Sequence, residues 1–451
     1  MHARWCVSSR DKKLDPGGAP DLSLWPLPLP LAALALTMVM VMVTVTAPAG
    51  SDCRGPLTAS AAVRCALAAS PAVRVAEAAV EAAAGRQDTA RTILPSNPGA
   101  EVTLAHRRGL WTGDRDINIY GRITQELEIA GQRGKRRLVA DADRTAQQRR
   151  VDAVRREVAA EVLRVHVEAL SAREQRAMAR RMMTAADALA ALAREGEKAG
   201  LASGLALDLA AVTVVRLQQQ GIEAERRIFA AHAMLASLVG QDPASPEIEA
   251  AGELAPLPVP EDIPALVEGA LASRAELEVA RAEREQHLRQ AELWKRMRAP
   301  NPSLVLFAQR DGFNERVLGG GLSIPIVLPS PLGRSNRGQI AESRALARQA
   351  EADIDRLRRD VRAEVVVAAG NLRARRAELA LFDPERIARA ERHVTALGEE
   401  MAAGRMSIRE AAVLQQTFLE LLAAHLEARR TLALAAVELA RVAGRLPGGL
   451  P

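Results

Sequence analysis

A long strand that leads directly into a very long helix constrains this sequence more than any other feature. From Ile117 to Ile129 every second residue is apolar or glycine, with Gln125 the exception, and the residues between them are polar or charged. This alternation is typical of a β-strand with one apolar and one polar face. A basic, glycine-containing corner at Gly131–Lys135 then ends the alternation, so the strand and the next element are joined by one short turn.

The segment after this corner, from Gly134 to about Lys198, contains no proline and has helical periodicity. Apolar residues such as Val151, Val154 and Val158 recur at spacings of three and four, as in helices that pair in coiled coils. At 1.5 Å per residue, the predicted helix is on the order of 95 Å long.

The composition of the 451 residues also favours long packed helices. Aromatic residues make up only 2% of the chain, and the formal net charge is +6. A basic chain raises nucleic acid as a partner. Here the basic residues alternate with acidic ones and form no block, so we predict no nucleic-acid binding.

The first 49 residues differ from the rest of the chain. Basic residues precede the apolar run Leu27–Val45, and the sequence Ala-Pro-Ala at 47–49 follows it. This order predicts an export signal peptide at 1–49; a retained membrane anchor is the alternative, because the run approaches spanning length. Cys53 and Cys65 would then form a disulfide, or Cys53 would hold a lipid anchor. The sequence does not decide between the two.

Short motifs recur at a constant offset of 204 residues, which is the difference between positions 301 and 97. The matching pairs are Asn97-Pro98 with Asn301-Pro302, Arg133-Gly134 with Arg337-Gly338, and Ala199-Gly200 with Ala403-Gly404. The predicted fold is therefore mainly α with a small β part. It consists of two tandem repeats of helix, β-hairpin, long helix, tight turn and helix.

The repeat also sets the predicted boundaries. The first repeat covers 50–240, a Pro-rich linker covers 241–264, the second repeat covers 265–446, and a tail covers 447–451. Strands are predicted at about 101–111, 115–130, 303–310 and 316–328, and the first repeat opens with one helix over Thr58–Thr92.

Four strands from one chain cannot cross a bilayer alone, because both sheet edges would leave backbone groups unpaired in hydrocarbon. Three copies would supply a closed barrel of twelve strands, and the long helices would continue it as a helical tube. Aromatic residues lie in or beside the hairpins, at Trp111, Tyr120, Phe307 and Phe313. We predict that they form a girdle at the membrane interface; ordinary strand residues are the alternative.

Several motifs carry a family resemblance. They are Leu94-Pro95 with Asn97-Pro98, Gln125-Glu126-Leu127-Glu128, Arg133-Gly134, Leu322-Ser323-Ile324-Pro325-Ile326 and Asn336-Arg337-Gly338. In this order they resemble the TolC-like outer-membrane efflux proteins, more closely the heavy-metal efflux branch typified by CzcC. The resemblance implies a homotrimer in the outer membrane with a periplasmic extension. It also implies a periplasmic adaptor protein and an inner-membrane resistance-nodulation-division pump as partners, with metal cations or drugs as cargo.

The resemblance assigns the adaptor-docking role to the two turns between long helices. The residues are Gly200, Leu201, Ala202 and Ser203 in the first turn and Gly404, Arg405, Met406 and Ser407 in the second. A glycine where the chain reverses is also required by backbone geometry, and both roles can hold.

Glu410, just past the second turn, matches an acidic position that family members project into the closed pore. Asp208, the gate candidate in the first repeat, follows a slightly longer turn. The second acid that family members often carry three residues on is replaced here by Val413. Three carboxylates in a narrow tube would attract cations. The alternative for Glu410 is a solvated residue on a helix surface.

No pattern indicates an enzyme, a cofactor or a metal site. The histidines lack the spacing of metal ligands, and no acid has a basic or nucleophilic partner at catalytic spacing. Two other classes are a periplasmic adaptor subunit, which needs further short strands, and a structural coiled-coil protein, which does not account for the hairpins. The cargo cannot be inferred from the sequence.

Overall fold

A computed structural model describes residues 53–445, apart from 112, 114, 199–202, 261, 311–314, 329–332, 334 and 404. The predicted signal peptide at 1–49 and the predicted tail at 447–451 lie outside the described residues. Among the helices in the described part, none has an apolar stretch long enough to cross a bilayer.

Helices account for most of the described chain, as predicted. The first repeat contains α1 (Ala59–Ala69), α2 (Pro71–Arg91), α3 (Gln132–Lys198) and α4 (Gly204–Leu238). The second contains α5 (Ile263–Ser273), α6 (Ala275–Arg296), α7 (Arg337–Ala380), α8 (Pro384–Ala402) and α9 (Ile408–Val442). Helix α3 has 67 residues and is roughly 100 Å long at 1.5 Å per residue.

The strands form two sheets. Strands β1 (Gly55–Leu57) and β4 (Ile248–Ala250) make a short parallel pair. Strands β2 (Gly99–Arg108), β3 (Arg115–Glu126), β5 (Ser303–Arg310) and β6 (Arg316–Ser323) form an antiparallel sheet in the order β2-β3-β5-β6. One register row across this sheet joins Val102, Gly121, Ala308 and Leu318. The small sheet built from one hairpin of each repeat agrees with the predicted fold class.

Three strands differ from their predicted limits. Strand β2 covers 99–108 instead of 101–111. Strand β3 ends at Glu126 instead of about 130, because the chain turns at Gly131, whose φ is 75°, and the Ala130 N–H donates to Gln132 Oε1 at 2.8 Å. Strand β6 ends at Ser323 instead of 328, since Pro325 has no N–H to donate to a ladder.

The predicted linker at 241–264 contains a strand that the sequence did not reveal. Within it, β4 pairs with β1 from Gly55 opposite Ile248 to Leu57 opposite Ala250. Strands of three residues are too short to show an alternation. Cys53, just before β1, and Cys65, in α1, are joined by a disulfide with a Cα–Cα distance of 5.9 Å. This bond and a lipid anchor on Cys53 exclude each other, because both use the same sulfur.

Three helices predicted to be continuous are broken. The predicted helix Thr58–Thr92 is divided at Ser70, because Pro71 cannot donate an N–H to the preceding turn. The first helix of the second repeat is divided at Arg274. The second long helix is divided at 381–383, before Pro384.

The largest core cluster lies where α1, α3, α4 and α9 meet the β1–β4 pair. Leu163, Leu235 and Ile248 are almost completely buried there. A second cluster joins α5, α7 and α9. A third, nearer the helix turns, joins α3, α4, α8 and α9 through residues such as Met182, Leu217 and Ile387.

Candidate channel-forming sheet and helix turns

The four-stranded sheet has most of its apolar side chains on its more exposed face. Along β5 the alternate residues Leu304, Leu306 and Ala308 are exposed, whereas Val305 and Phe307 on the other face are half-buried. The same face includes Val102, Ile123, Leu318 and Leu322, and Leu318 is 88% exposed. A sheet on a protein in water packs its apolar face onto the core. This sheet does the reverse, which suits a face in contact with hydrocarbon.

The opposite face is mainly polar and is partly covered at Val305 and Phe307. Arg122 donates to Glu101 across the β2–β3 pair in an ion pair. The Tyr120 and Phe307 rings lie 6.1 Å apart between centroids. The Phe307 ring lies over Gly319, where a Cβ would come within 2.5 Å of the ring. Glycine at position 319 therefore lets the Phe307 ring pack closely against β6.

The predicted aromatic girdle is wrong for two of its four residues. Tyr120 and Phe307 share the polar face with Arg122, whereas a girdle requires aromatic rings on the lipid side. The girdle was predicted from the position of these residues in or beside the hairpins and not from the strand face that each one occupies. Trp111 is 99% exposed beyond the end of β2, and Phe313 lies outside the described residues.

Two residues of the resemblance motifs, Glu126 and Arg133, make contacts at the corner between the sheet and the helices. The Asn301 amide donates to Glu126 Oε1 at 2.7 Å, and Gln132, which is 1% exposed, donates to Asn301 Oδ1 at 2.8 Å. Arg133 donates twice to the Arg91 carbonyl, at 3.2 and 3.0 Å. These residues fix the angle at which α3 leaves β3, a role that spacing in the sequence did not reveal.

Both outer strands of the sheet have an unpaired edge within the described residues. Strand β2 hydrogen-bonds only to β3, and β6 only to β5. Open edges invite pairing with another chain, and no stable arrangement leaves them exposed to hydrocarbon.

Helix α4 has two apolar stripes on opposite sides. Ala210, Leu217, Ala224 and Ala231 are buried at heptad spacing. Val212, Ile222 and Phe229 are 57%, 68% and 60% exposed, together with Leu205 and Val215. Positions two residues apart differ by about 200° around a helix, so the exposed stripe faces away from the core. The repeat predicts a helix here but does not reveal this second stripe.

The second helix turn is described in part. Arg405 donates to both carboxylate oxygens of Glu400, at 2.6 and 2.8 Å, and this contact lowers the pKa of Glu400. The Met406 side chain packs on the buried Ala411 and Ala412. Ser203 and Ser407 are the N-caps of α4 and α9. The other predicted docking residues, Gly200, Leu201, Ala202 and Gly404, lie outside the described residues.

Glu410 has a contact within its own helix. The Ser407 N–H and hydroxyl donate to Glu410 Oε2 at 3.0 and 2.8 Å, and the Glu410 N–H donates to Ser407 Oγ at 3.3 Å. This capping box lowers the pKa of Glu410, mainly through the backbone N–H of Ser407. The predicted role in a pore gate stays a prediction.

Asp208 is not the counterpart of Glu410. Helix α3 ends at Lys198 and α4 begins at Gly204, while α8 ends at Ala402 and α9 begins at Ile408. Both turns therefore have five residues, and the predicted greater length of the first turn is wrong. At the repeat offset Glu410 corresponds to Ala206, and Asp208 lies two residues further along α4.

Histidines and acids in the described part of the chain do not assemble into a metal site: no group of three potential ligands lies close enough together. His166 is buried, and its Nε2 lies 3.0 Å from the Leu57 carbonyl oxygen. Burial lowers the pKa of His166, which packs beside β1. The His393 and Phe418 rings are stacked, with their centroids 5.9 Å apart.

Comparison with known proteins agrees with this architecture. Residues 62–241 match the family model described as outer membrane efflux protein. No protein of curated function matches the chain in sequence. The match supports the predicted resemblance over that part of the chain.

Solved structures extend the likeness to most of the chain. The outer-membrane channel OprN is 18% identical, with a TM-score of 0.68 over 87% of this chain and 90% of its own. VceC of Vibrio cholerae is 16% identical, with a TM-score of 0.67 over 86% and 96%. The open-state MtrE channel of Neisseria gonorrhoeae is 14% identical, with a TM-score of 0.69 over 87% and 90%. The chain thus has the fold of outer-membrane channel proteins.

Proposed function

We propose that the chain is the outer-membrane channel of a tripartite efflux system, a passive duct for small solutes. The observation that supports this most is the sheet whose apolar face is exposed, joined by a short corner to the 67-residue helix α3. Such a sheet is stable against hydrocarbon and the Arg/Glu-faced helix is stable in water, so the corner marks the membrane surface. The proposal includes no enzymatic step.

Three copies of the chain would pair the backbone groups that are unpaired at the two sheet edges of one chain. Each chain supplies four strands, and three chains close an even barrel of twelve in which β2 and β6 edges meet. The exposed stripe of α4 would then pack against a helix of the neighbouring copy, which accounts for its heptad spacing.

The partners follow from where the ends of α3 lie. Its first residue, Gln132, adjoins the sheet, and its last, Lys198, adjoins the first helix turn. The turns would therefore extend about 100 Å from the membrane into the periplasm, within reach of an adaptor protein and an inner-membrane pump. Residues Ser203, Arg405, Met406 and Ser407 are the described part of this docking surface.

We assign the cargo only by class. A wide aqueous duct selects weakly, and the pump would choose the solute. Metal cations are favoured by the resemblance to the heavy-metal branch; drugs are the second class. A periplasmic adaptor or a structural coiled-coil protein would not need a sheet that turns its apolar face outward.

The test is the native mass of the protein extracted from outer membranes in mild detergent. We expect a mass about three times that of the chain, and single-channel conductance in planar bilayers. A monomer that stays soluble without detergent would contradict the channel and leave the adaptor or the coiled-coil protein.

Variants of α4 separate assembly from folding. Ile222→Asn with Phe229→Asn removes two exposed side chains and should abolish the trimer while far-UV circular dichroism stays that of the wild type. Leu217→Asn, on the buried stripe (0% exposed), should instead lower the helix content of the chain itself. A trimer that survives the double substitution would mean that the stripe is not the contact between copies.

A further inference from the structure

We propose that the end of the apolar face farthest from the helices binds the phosphate groups of outer-leaflet lipids through four arginines. The strand register places Arg108 opposite Arg115 and Arg310 opposite Arg316. The inference rests on the proposed function, because it requires the sheet to stand in a membrane.

All four arginines lie on the apolar face. Side chains alternate along a strand, so Arg310 is on the side of Leu306 and Ala308, and Arg316 is on the side of Leu318. By the same alternation Arg108 shares a face with Val102 and Leu104, and Arg115 shares one with Ile117 and Ile119. The four side chains are exposed.

Like charges directly opposite each other destabilise a pair of strands, and each of the two hairpins contains one such pair. Within the described residues no ion pair joins any of the four arginines to an acid. Asp116, the nearest strand acid, is paired in the ladder with Arg107 and so lies on the opposite face. Among the described residues, therefore, no ion pair offsets these four charges, and an anion from outside would offset them.

The distances along the strands fit the headgroup layer. Six residues separate Leu304 from Arg310, which is about 20 Å at 3.3 Å per residue. Eight residues separate Ile123 from Arg115, about 26 Å on the same basis. The lipid-facing band of outer-membrane barrels is ~25 Å tall, so the guanidinium groups would reach the boundary between hydrocarbon and headgroups, with their stems in the apolar layer.

The charge is confined to one end of the face. At the helix end the strand residues on that side are Ala100, Gln125, Leu304 and Leu322, none of them charged. A soluble anion would not require arginines continuous with an apolar surface. A lipid supplies both parts, with acyl chains against the leucines and a phosphate that a guanidinium binds through two N–H groups.

The experiment uses native mass spectrometry of the detergent-extracted protein mixed with diphosphoryl lipid A or with its monophosphoryl form. The pair variants are Arg108→Gln with Arg115→Gln, and Arg310→Gln with Arg316→Gln. Arg107→Gln with Arg122→Gln is the matched control, because it removes two charges from the opposite face of the same sheet.

Each pair variant should reduce retained diphosphoryl lipid A at least about tenfold, since a basic residue near an anionic surface contributes roughly fivefold. The monophosphoryl form should bind more weakly, and the control should bind as the wild type does. Retention unchanged in both pair variants would overturn the proposal. Full displacement by millimolar inorganic phosphate would also overturn it, since the site would then bind a free anion.

Trimer mass and conductance in phosphatidylcholine bilayers are measured on the same samples. These report on the channel alone. If they fail in the wild type, the proposed function fails; if they are normal while lipid retention is unaffected by the substitutions, only the inference about phosphate fails.

Discussion

In the first repeat the long helix runs unbroken from Gln132 to Lys198, whereas in the second the corresponding path is divided between α7 and α8. At the repeat offset Pro384 corresponds to Arg180, and Asp383 corresponds to Ala179. Proline within a helix removes one hydrogen bond and clashes with the carbonyl four residues earlier. One residue in one copy therefore accounts for the difference.

The second repeat compensates for the lost helical bonds locally. The Glu385 N–H donates to Asp383 Oδ1 at 3.0 Å, so Asp383 caps the new helix. The Phe382 ring packs 5.5 Å from the His425 ring. Leu381 is 82% exposed. The break thus has a cap and one partly buried aromatic anchor.

A second helix break occurs at the same position in both repeats, but the residue at that position differs. Ser70 has φ −58° and ψ 124°, and Arg274 at the same offset has φ −67° and ψ 125°. Pro71 follows the first, but Arg274 is itself buried and pairs with Glu276 and Glu364. The φ and ψ angles at the two positions are nearly identical although the residues differ, so this break is a property of the shared fold. The break before Pro384 belongs to the sequence of one copy.

The largest expected effect comes from making the first repeat resemble the second. Arg180→Pro should destabilise the middle of α3 by about 3 kcal/mol, because Ala179 offers no cap comparable to Asp383. Hydrogen–deuterium exchange of the peptides around 170–190 measures the loss of protection.

Arg180→Ala is the matched control. It removes only the exposed ion pair with Glu225, 3.5 Å apart, which contributes about 0.2–1 kcal/mol at most. If hydrogen–deuterium exchange is unchanged in Arg180→Pro, α3 tolerates a break. The difference between the two repeats would then have no effect on stability.

These two kinds of break also show what the sequence can predict. The sequence predicted the hairpins, α3 and the four-stranded sheet. These predictions rested on the alternation in Ile117–Ile129 and on the proline-free stretch after it, because periodicity shows which face of a strand or helix each residue occupies. The break at Arg274 has no local marker, since it depends on burial against Glu364, which is distant in sequence. Pro384 was visible, and its effect was missed only because the repeat suggested a second continuous helix.

Some features of the candidate site could likewise be predicted from the sequence, and others could not. Spacing identified the apolar face and the helix turns, but the arginine pairs emerged only from the register, and the contacts of Glu126 with Asn301 join residues 175 positions apart. Long-range pairing of this kind is not encoded in local periodicity.

A smaller effect should follow from removing the cap that makes the second break tolerable. Asp383→Ala should lower the stability of the first turn of α8 by about 1 kcal/mol, the usual contribution of a helix cap. Exchange of the amides at 385–388 should rise while those of α7 stay protected. Asp383→Asn, which keeps a capping oxygen, should behave nearly as the wild type; equal exchange in the alanine and asparagine variants would mean that Phe382 alone holds the junction.

The smallest expected effect concerns the two turns, which differ in their caps. Glu410 forms a capping box with Ser407, whereas Ser203 makes no side-chain capping bond. The pKa of Glu410 is lowered in the folded chain, so its contribution is fully present above the unfolded value of about 4.3. That contribution is lost as the pH falls through the folded value. In exchange measurements on the start of α9, wild type and Glu410→Gln should differ slightly near neutral pH and converge below about pH 4.

Conductance decides whether the same carboxylate also acts in a pore. Ser407→Ala weakens the cap and keeps the charge, whereas Glu410→Gln removes the charge and keeps an acceptor. If three copies of Glu410 line the duct, only Glu410→Gln should reduce block by divalent cations, because a carboxylate ring attracts them. If both variants conduct as the wild type does, the carboxylate serves its own helix alone, and the second turn differs from the first in stability and not in selectivity.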